Sequence, residues 1–334
     1  MKKYILGVMC AGLMLAFTAC GKYSDRPKGD TSTSGQTIIA CDETFENVIE
    51  DEIEVFEYVY RDVSVLPYYI NETACIDSLL NFKINTVVVS RELNEAELKR
   101  LRDNKKRPKQ QQIAVDAIAL IVNKDNPIDI LSVEEIKEIL TGEVTDWHAI
   151  SPEGKGPIKV VFDNAGSSTV NYMRNKVTEG KPFGDNVFAQ GTCPKVIEAV
   201  RENVGAIGII GVSWLTANLS GEETKSIEDM AKESSANDTV TMTSAMDVND
   251  RFNDNVKVLK VRENDKIQAY KPYQFDIYNG DYPFYRSMYM ITVGEGGMPS
   301  HGFYSFVTSP QGQKLILTTG ILPAIKHNKL MTIE

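Results

Sequence analysis

Residues 37–69, TIIACDETFENVIEDEIEVFEYVYRDVSVLPYY, carry the pattern that decides the fold. The apolar run 37–41 predicts a short β-strand, the spacing over 45–58 predicts a helix, and 63–69 predicts a second strand. Helix and strand signals continue the same alternation over 74–90. A repeated strand–helix order is typical of an α/β fold with a largely parallel sheet and flanking helices.

Similar signals resume further along the chain. The run 113–122 is almost wholly apolar and predicts a buried strand. Two capping boxes, Asn94 with Glu97 and Ser132 with Glu135, predict where two helices begin. The α/β pattern therefore extends well beyond the first 90 residues.

The chain after residue 36 has about 300 residues, which is too long for one simple core and predicts two lobes. We expect lobe I to comprise 37–115 and 285–334, and lobe II to comprise 116–284. Crossover strands at these limits would join the lobes. The polar and acidic segment 220–255 is interpreted as a surface elaboration of lobe II.

The N-terminus predicts export. Residues 1–19 begin with Met and two lysines, continue with an apolar run too short for a comfortable transmembrane span, and end in small residues before Cys20. This ending is similar to a bacterial lipobox and favours a lipidated Cys20; the alternative is an ordinary cleaved signal with a chance cysteine. The polar residues 21–36 predict a flexible tether. We expect a protein anchored to a bacterial membrane, facing the periplasm or exterior.

Composition argues against other classes of protein. A formal net charge of -10 disfavours a nucleic-acid partner, which needs a basic surface. The three histidines, His148, His301 and His327, lie in no metal-binding or hydrolase spacing, so we expect no enzyme, metal or cofactor. Two interpretations stay open for Cys41 and Cys75, namely a disulfide in an oxidising compartment or buried free thiols.

A candidate anion site lies at 166–169, Gly-Ser-Ser-Thr, between a predicted strand and a predicted helix at 170–177. Unpaired N–H groups at a helix start favour anions, and hydroxyls add donors. The alternative is that Ser167 or Thr169 simply caps the helix. The loops at 42–45 and at Ser90-Arg91 also follow predicted strands, and the carboxyl ends of such strands are where ligands bind. Arg91 would suit an oxyanion, or would form a surface ion pair.

Several segments, taken together and in order, resemble the phosphate-binding family of ABC-transporter substrate-binding proteins. The resemblance extends over 37–330 apart from 220–255. It implies a two-lobed periplasmic-binding-protein clamshell of type II, with mixed, mostly parallel sheets. The segments that carry it are 113–123, 131–136, 140–147, 203–208, 282–289, 309–313, Gly320 and Pro323.

The resemblance also implies a ligand site between the lobes. The residues that it matches are Thr44, Phe45, Ser90, Arg91, Asp116, Gly166, Ser167, Ser168 and Thr169. The family usually has an arginine where this chain has Asp163, and a glycine where it has Ser168, so we expect Arg91 to supply the missing charge. Asp42 or Asp116 is expected to accept the proton of hydrogen phosphate, which sulfate lacks.

The expected function is capture of phosphate by a monomeric, lipid-anchored protein that delivers it to an ABC permease. Two alternatives stay open on the same fold. One is a binding protein for another oxyanion, such as molybdate, tungstate or sulfate. The other is a sensor or interaction lipoprotein, which the loss of the family arginine and the acidic 220–255 segment favour.

Overall fold

A computed structural model describes the protein over residues 29–215, 226–236, 240–241, 256–293, 297–324 and 331–332. The predicted signal peptide, Cys20 and most of segment 220–255 lie outside the described residues. In the described part of the chain, no helix combines the length and apolarity needed to cross a membrane.

The described strands form two main sheets that share one long strand, β4. The first sheet has the order β2-β1-β3-β12-β4, and the second has the order β4-β8-β6-β7. In chain order the strands are β1 (Ser34–Asp42), β2 (Asp62–Ile70), β3 (Thr86–Val89), β4 (Lys109–Asn123), β5 (Ile130–Ser132), β6 (Lys159–Phe162), β7 (Val187–Ala189), β8 (Ala206–Gly211), β9 (Val240–Thr241), β10 (Val256–Val258), β11 (Lys260–Arg262), β12 (Tyr285–Thr292), β13 (Leu322–Pro323) and β14 (Met331–Thr332).

Helices flank both sheets. In chain order the described α-helices are α1 (Glu46–Val59), α2 (Glu72–Leu80), α3 (Glu95–Asp103), α4 (Val133–Thr141), α5 (Ser168–Tyr172), α6 (Cys193–Glu202), α7 (Ile227–Ser235), α8 (Gln274–Asn279), α9 (Pro299–Val307) and α10 (Pro310–Thr318). Both predicted capping boxes are present, at the starts of α3 and α4. A π-helical turn at Met173–Val177 directly follows α5.

The two sheets define two lobes, which confirms the predicted two-lobed α/β fold. Strands that end near the junction pair in parallel, as β1 does with β2 and β3, and as β6 does with β7 and β8. Strand β4 connects the two sheets. Its first part pairs antiparallel with β12, and its second part pairs antiparallel with β8. Strand β4 therefore passes from one lobe to the other, and β12 begins beside the crossing point.

The segment before β12 is also bonded to β4 next to this crossing. The Ile118 backbone N–H donates to Phe284 O at 2.8 Å, and the Tyr282 hydroxyl donates to Ile118 O at 2.6 Å. Tyr282 and Phe284 are buried and their rings meet edge to face. These aromatic side chains belong to the core.

Cys41 and Cys75 are free thiols, and the β1 pleat explains why they do not pair. Successive side chains of a strand point to opposite faces. Cys41 packs with Phe45 in the main core, whereas Cys75 packs with Ala40 on the other side of the sheet.

Candidate functional site

A buried arginine, Arg286, lies at the centre of the candidate site and is 4% exposed. Its Cα is paired with that of Asp116 in the β12–β4 ladder, so the two side chains share one face. Arg286 donates to Asp116 Oδ2 from Nε at 3.2 Å and from Nη2 at 2.9 Å. This ion pair therefore lies where the chain crosses between the lobes.

The same guanidinium contacts residues of both lobes. Its Nη1 donates to Ser168 Oγ at 2.7 Å and to Thr169 Oγ1 at 3.0 Å. Its Cζ lies 4.7 Å from the centroid of the Phe45 ring, within range of a cation–π interaction. The structure thus brings together Phe45, Asp116, Ser168 and Thr169, all of which were predicted site residues.

The first loop of lobe I bonds directly to the Ser168 loop of lobe II. Asp42 Oδ1 accepts from Thr44 N at 2.9 Å, and Asp42 Oδ2 accepts from Ser168 N at 2.9 Å. The hydroxyl oxygens of Thr44 and Ser168 lie 2.9 Å apart. Thr44 is therefore part of the site, and Asp42 connects the two lobes.

Two further hydrogen bonds join the lobes beside this loop. Trp214 Nε1 donates to Thr44 O at 2.8 Å, and Asn47 Nδ2 donates to Ser213 O at 2.8 Å. Ser213 and Trp214 follow β8, which is a strand of the second sheet. The lobes are thus in direct polar contact over both ends of the 42–47 segment.

Carboxyl groups outnumber cations among the described residues at this junction. Burial lowers the pKa of Arg286, but Asp116 and Asp42 raise it more, so the guanidinium stays charged. Burial raises the pKa of Asp116, although Arg286 opposes that rise. Burial also raises the pKa of Asp163, and it raises the pKa of Asp42 to about 6. Burial at the junction therefore raises the pKa of three carboxyls, and the charge of Arg286 opposes that rise in each.

The structure corrects the expectation that Arg91 supplies the positive charge. Arg91 donates to Glu97 Oε2 and Oε1 at 2.9 and 2.8 Å, and its side chain is 43% exposed. Glu97 is the carboxylate of the α3 capping box, six residues along the chain. Arg91 is therefore held in a local surface ion pair, which was the alternative interpretation.

Ser90 lies against another buried carboxylate. Its N–H and Oγ donate to Glu72 Oε2 at 2.8 and 2.5 Å, and Glu72 Oε1 accepts from Asn171 Nδ2 of lobe II at 3.3 Å. Glu72 is 2% exposed. Ser90 thus borders the junction, with its donors bound to the protein.

Gly166 and Ser167 have mainly structural contacts. A Cβ on Gly166 would lie 2.9 Å from Asn71 Cγ, so glycine allows a close approach of the two lobes there. Ser167 Oγ donates to Asp163 Oδ1 at 2.7 Å and accepts from Val170 N at 3.2 Å, which makes it the α5 cap.

Sequence reasoning missed Arg286. The segment 282–289 was given only as part of the family resemblance, and its one cation lies on the buried face of β12. An arginine inside an apolar strand, together with an aspartate inside the apolar run of β4, was the available signal. Among the described residues, no group of three or more His, Cys, Asp or Glu is arranged to hold a metal ion.

Comparisons with known proteins agree with this architecture. A Pseudomonas aeruginosa protein named phosphate-binding protein PstS is 22% identical to this chain over 309 residues, which cover 88% of this chain and 84% of the relative. A Staphylococcus saprophyticus protein of the same name is 23% identical over 313 residues, which cover 92% and 85%. A Clostridium perfringens crystal structure, described as a candidate phosphate ABC transporter substrate-binding protein with bound phosphate, gives a TM-score of 0.66. It is 23% identical and covers 87% of this chain and 100% of its own.

Another solved structure has the same fold. An ABC-type phosphate transport receptor from Vibrio cholerae gives a TM-score of 0.59 at 18% identity, covering 86% of this chain and 100% of its own. The sequence model of the PBP superfamily domain matches residues 26–311. That match extends across both lobes and includes every residue of the candidate site, so the chain belongs to the PBP superfamily.

Proposed function

We propose that this chain is the exported, lipid-anchored substrate-binding protein of an ABC importer, and that it captures phosphate between its two lobes. The observation that carries the proposal is the buried Arg286 guanidinium, placed between the Ser168 and Thr169 hydroxyls on one side and Asp116 on the other. A guanidinium fork with neighbouring hydroxyl donors suits the geometry and charge of a tetrahedral oxyanion.

Asp116 supports phosphate over sulfate as the ligand. Its Oδ2 is bonded to Arg286, whereas its Oδ1 is buried and has no partner at good hydrogen-bond geometry, although the backbone N–H groups of Ala117 and Val212 lie near the carboxyl and lower its pKa. Hydrogen phosphate carries a proton that such an oxygen accepts. Sulfate carries none at neutral pH, so the unpaired carboxylate oxygen would face an anion without compensation.

The relatives add independent support. Those of Pseudomonas aeruginosa and Staphylococcus saprophyticus are named phosphate-binding proteins, and the Clostridium perfringens structure contains phosphate. Arg286 also supplies the positive charge that the family arginine, replaced here by Asp163, would otherwise bring.

Binding requires the lobes to separate. The Thr44 and Ser168 hydroxyl oxygens are 2.9 Å apart, so an oxyanion oxygen does not fit between them in this conformation.

We propose that the lobes comprise 37–115 with 285–334, and 116–284, apart from α7 and α8, which bond to α10 of lobe I. Gln311 Nε2 donates to Ser234 Oγ at 3.2 Å, and Gln274 Nε2 donates to Leu317 O at 3.0 Å. The lobes then move about β4 and the start of β12. The anion then favours closure because it binds the closed form better, and the closed form docks on the permease.

Calorimetric titration with phosphate tests the proposal directly. The mature chain carrying Cys20→Ser, stripped of bound ligand, is compared with its Arg286→Gln and Arg91→Gln variants. We expect phosphate binding that sulfate does not displace, that Arg286→Gln abolishes and that the exposed control Arg91→Gln retains. Folded protein that gives no heat with phosphate would exclude this ligand, and molybdate and tungstate titrations would then separate the other oxyanions.

A second function is favoured by the surplus of buried carboxyls at the junction, where Asp42, Glu72, Asp116 and Asp163 outnumber Arg286, the one buried arginine among the described residues. We propose as the alternative a sensor or interaction lipoprotein whose lobes are held together by the protein's own groups. Such a protein would bind no oxyanion, and its closure would not respond to phosphate.

A further inference from the structure

The carboxylate of Asp42 has an unusual position at the end of β1. It is fully buried, and its two oxygens accept from two backbone N–H groups, Thr44 N in its own lobe and Ser168 N in the other. Both distances are 2.9 Å, the usual length of an N–H···O hydrogen bond. One side chain thus bridges the two loops that face each other at the junction.

The groups around Asp42 are those on which the proposed function relies. Ser168 Oγ accepts from Arg286 Nη1 at 2.7 Å and lies 2.9 Å from Thr44 Oγ1. The Ser168 N–H has a single hydrogen, and Asp42 already accepts it. An oxyanion bound by this loop would need that donor.

We infer that Asp42 is an internal latch: its carboxylate takes the place of the ligand on the Ser168 loop, holds the two lobes together and competes with the anion. The competition rests on the proposed function. The latch itself does not, because it consists of contacts within the protein.

The neighbouring carboxyls do not make an equivalent bridge. Asp163 accepts from Ser167 Oγ and lies near the Cys193 thiol, both in its own lobe. Glu72 accepts across the junction from Asn171 Nδ2, but at the longer distance of 3.3 Å. Asp42 is therefore the carboxyl whose removal should separate the lobes.

A latch of this kind lowers the apparent affinity for the ligand. The dissociation constant rises in inverse proportion to the fraction of molecules that are open to the ligand. If about nine molecules in ten are latched, Asp42→Ala should bind phosphate about tenfold more tightly. Asp42 would then lower the apparent affinity of the protein for a ligand between its lobes.

The test measures the separation of the lobes without any ligand. Spin labels are attached through Lys99→Cys on α3 and Glu198→Cys on α6, both exposed positions, in the mature chain carrying Cys20→Ser. The three described native cysteines are buried and stay in place. Pulsed electron resonance then gives the distance distribution for the latch variants Asp42→Ala and Asp42→Asn and for the charge-matched control Asp163→Asn.

We expect a single short distance in the parent protein and in Asp163→Asn, and a longer, broader distribution in both Asp42 variants. An open parent protein, or folded Asp42 variants that stay closed, would overturn the latch. Circular dichroism and thermal melts establish that each variant is folded. If phosphate binds neither the parent nor Asp42→Ala, the proposed function fails, but the distances without ligand still decide whether the latch exists.

Discussion

Two arginines of this protein, Arg91 in the loop after β3 and Arg286 in β12, have opposite fates. Arg91 is partly exposed and pairs with Glu97 on the surface, whereas Arg286 is buried and pairs with Asp116 at the junction of the lobes. Arg91 is the residue that the loop pattern indicated. An arginine in a loop that follows a strand can thus pair with a carboxylate nearby in the chain, and it is then not available to a ligand.

The physical difference lies in the cost of leaving each charge unpaired. An exposed arginine is solvated by water, and its ion pair contributes little. A buried arginine that loses its partner keeps a desolvated charge, so its pair must form. The strand register that sets Arg286 opposite Asp116 satisfies this requirement across 170 residues of sequence.

The largest loss of stability is expected from Arg286→Gln. It leaves Asp116 buried without its cation, and breaking such a pair costs about 3–5 kcal/mol of unfolding free energy. Denaturant unfolding measures this loss. If Arg286→Gln were as stable as the parent protein, the buried arginine would not differ from Arg91 in its need for a partner.

A pH series tests the carboxyls that the two arginines face. Burial raises the pKa of Asp42 to about 6 from an ordinary 3.8, so the unfolded chain releases this proton at lower pH than the folded protein. Stability from this group is present below about pH 4 and is lost as pH rises to about 6, by on the order of 3 kcal/mol. For Glu97, burial raises the pKa, but the hydrogen bonds from Arg91 and from the Asn94 backbone N–H lower it overall. The stability that Glu97 contributes is therefore lost as pH falls, not as it rises.

Unfolding curves from about pH 3 to 8 measure both signs, because the stability from Glu97 is lost only as pH falls below its ordinary pKa of 4.5. Asp42→Asn should flatten the loss of stability between pH 4 and 6, while Glu97→Gln should leave that region unchanged. Equal slopes in the parent protein and in Asp42→Asn would contradict the assignment to Asp42.

A smaller effect is expected from Gly211→Ala at the end of β8. The added Cβ would lie 2.9 Å from Asp116 Oδ2 and 3.3 Å from Arg286 Nη2, so the ion pair must shift. Overpacking of this kind costs about 1–3 kcal/mol. Unfolding free energy and phosphate affinity should both fall, whereas Gly29→Ala, whose Cβ meets nothing within 4 Å, should change neither.

The smallest effect is expected from Arg91→Gln. Removing a partly exposed ion pair costs less than about 1 kcal/mol. Denaturant unfolding at low and high salt checks this, because added salt should shrink the difference further. A loss comparable to that of Arg286→Gln would show that the two arginines are not as different as their surroundings indicate.

Much of the fold could be predicted because its signals are local. The strand at 37–41, the helix over 45–58 and the capping boxes at Asn94 and Ser132 depend on neighbouring residues, and the structure confirms them. The strand predicted at 113–122 is longer in the structure. Residues from Lys109 join β4 because β12 supplies a pairing partner that is distant in sequence.

The sequence by itself determined the α/β pattern and the helix caps, since periodicity and capping act over a few residues. The tertiary structure alone decided which charged groups meet there. Asp42, Asp116 and Arg286 become neighbours only through strand order and register, and burial then makes their pairing obligatory. Arg91, with Glu97 six residues away, needed no such arrangement.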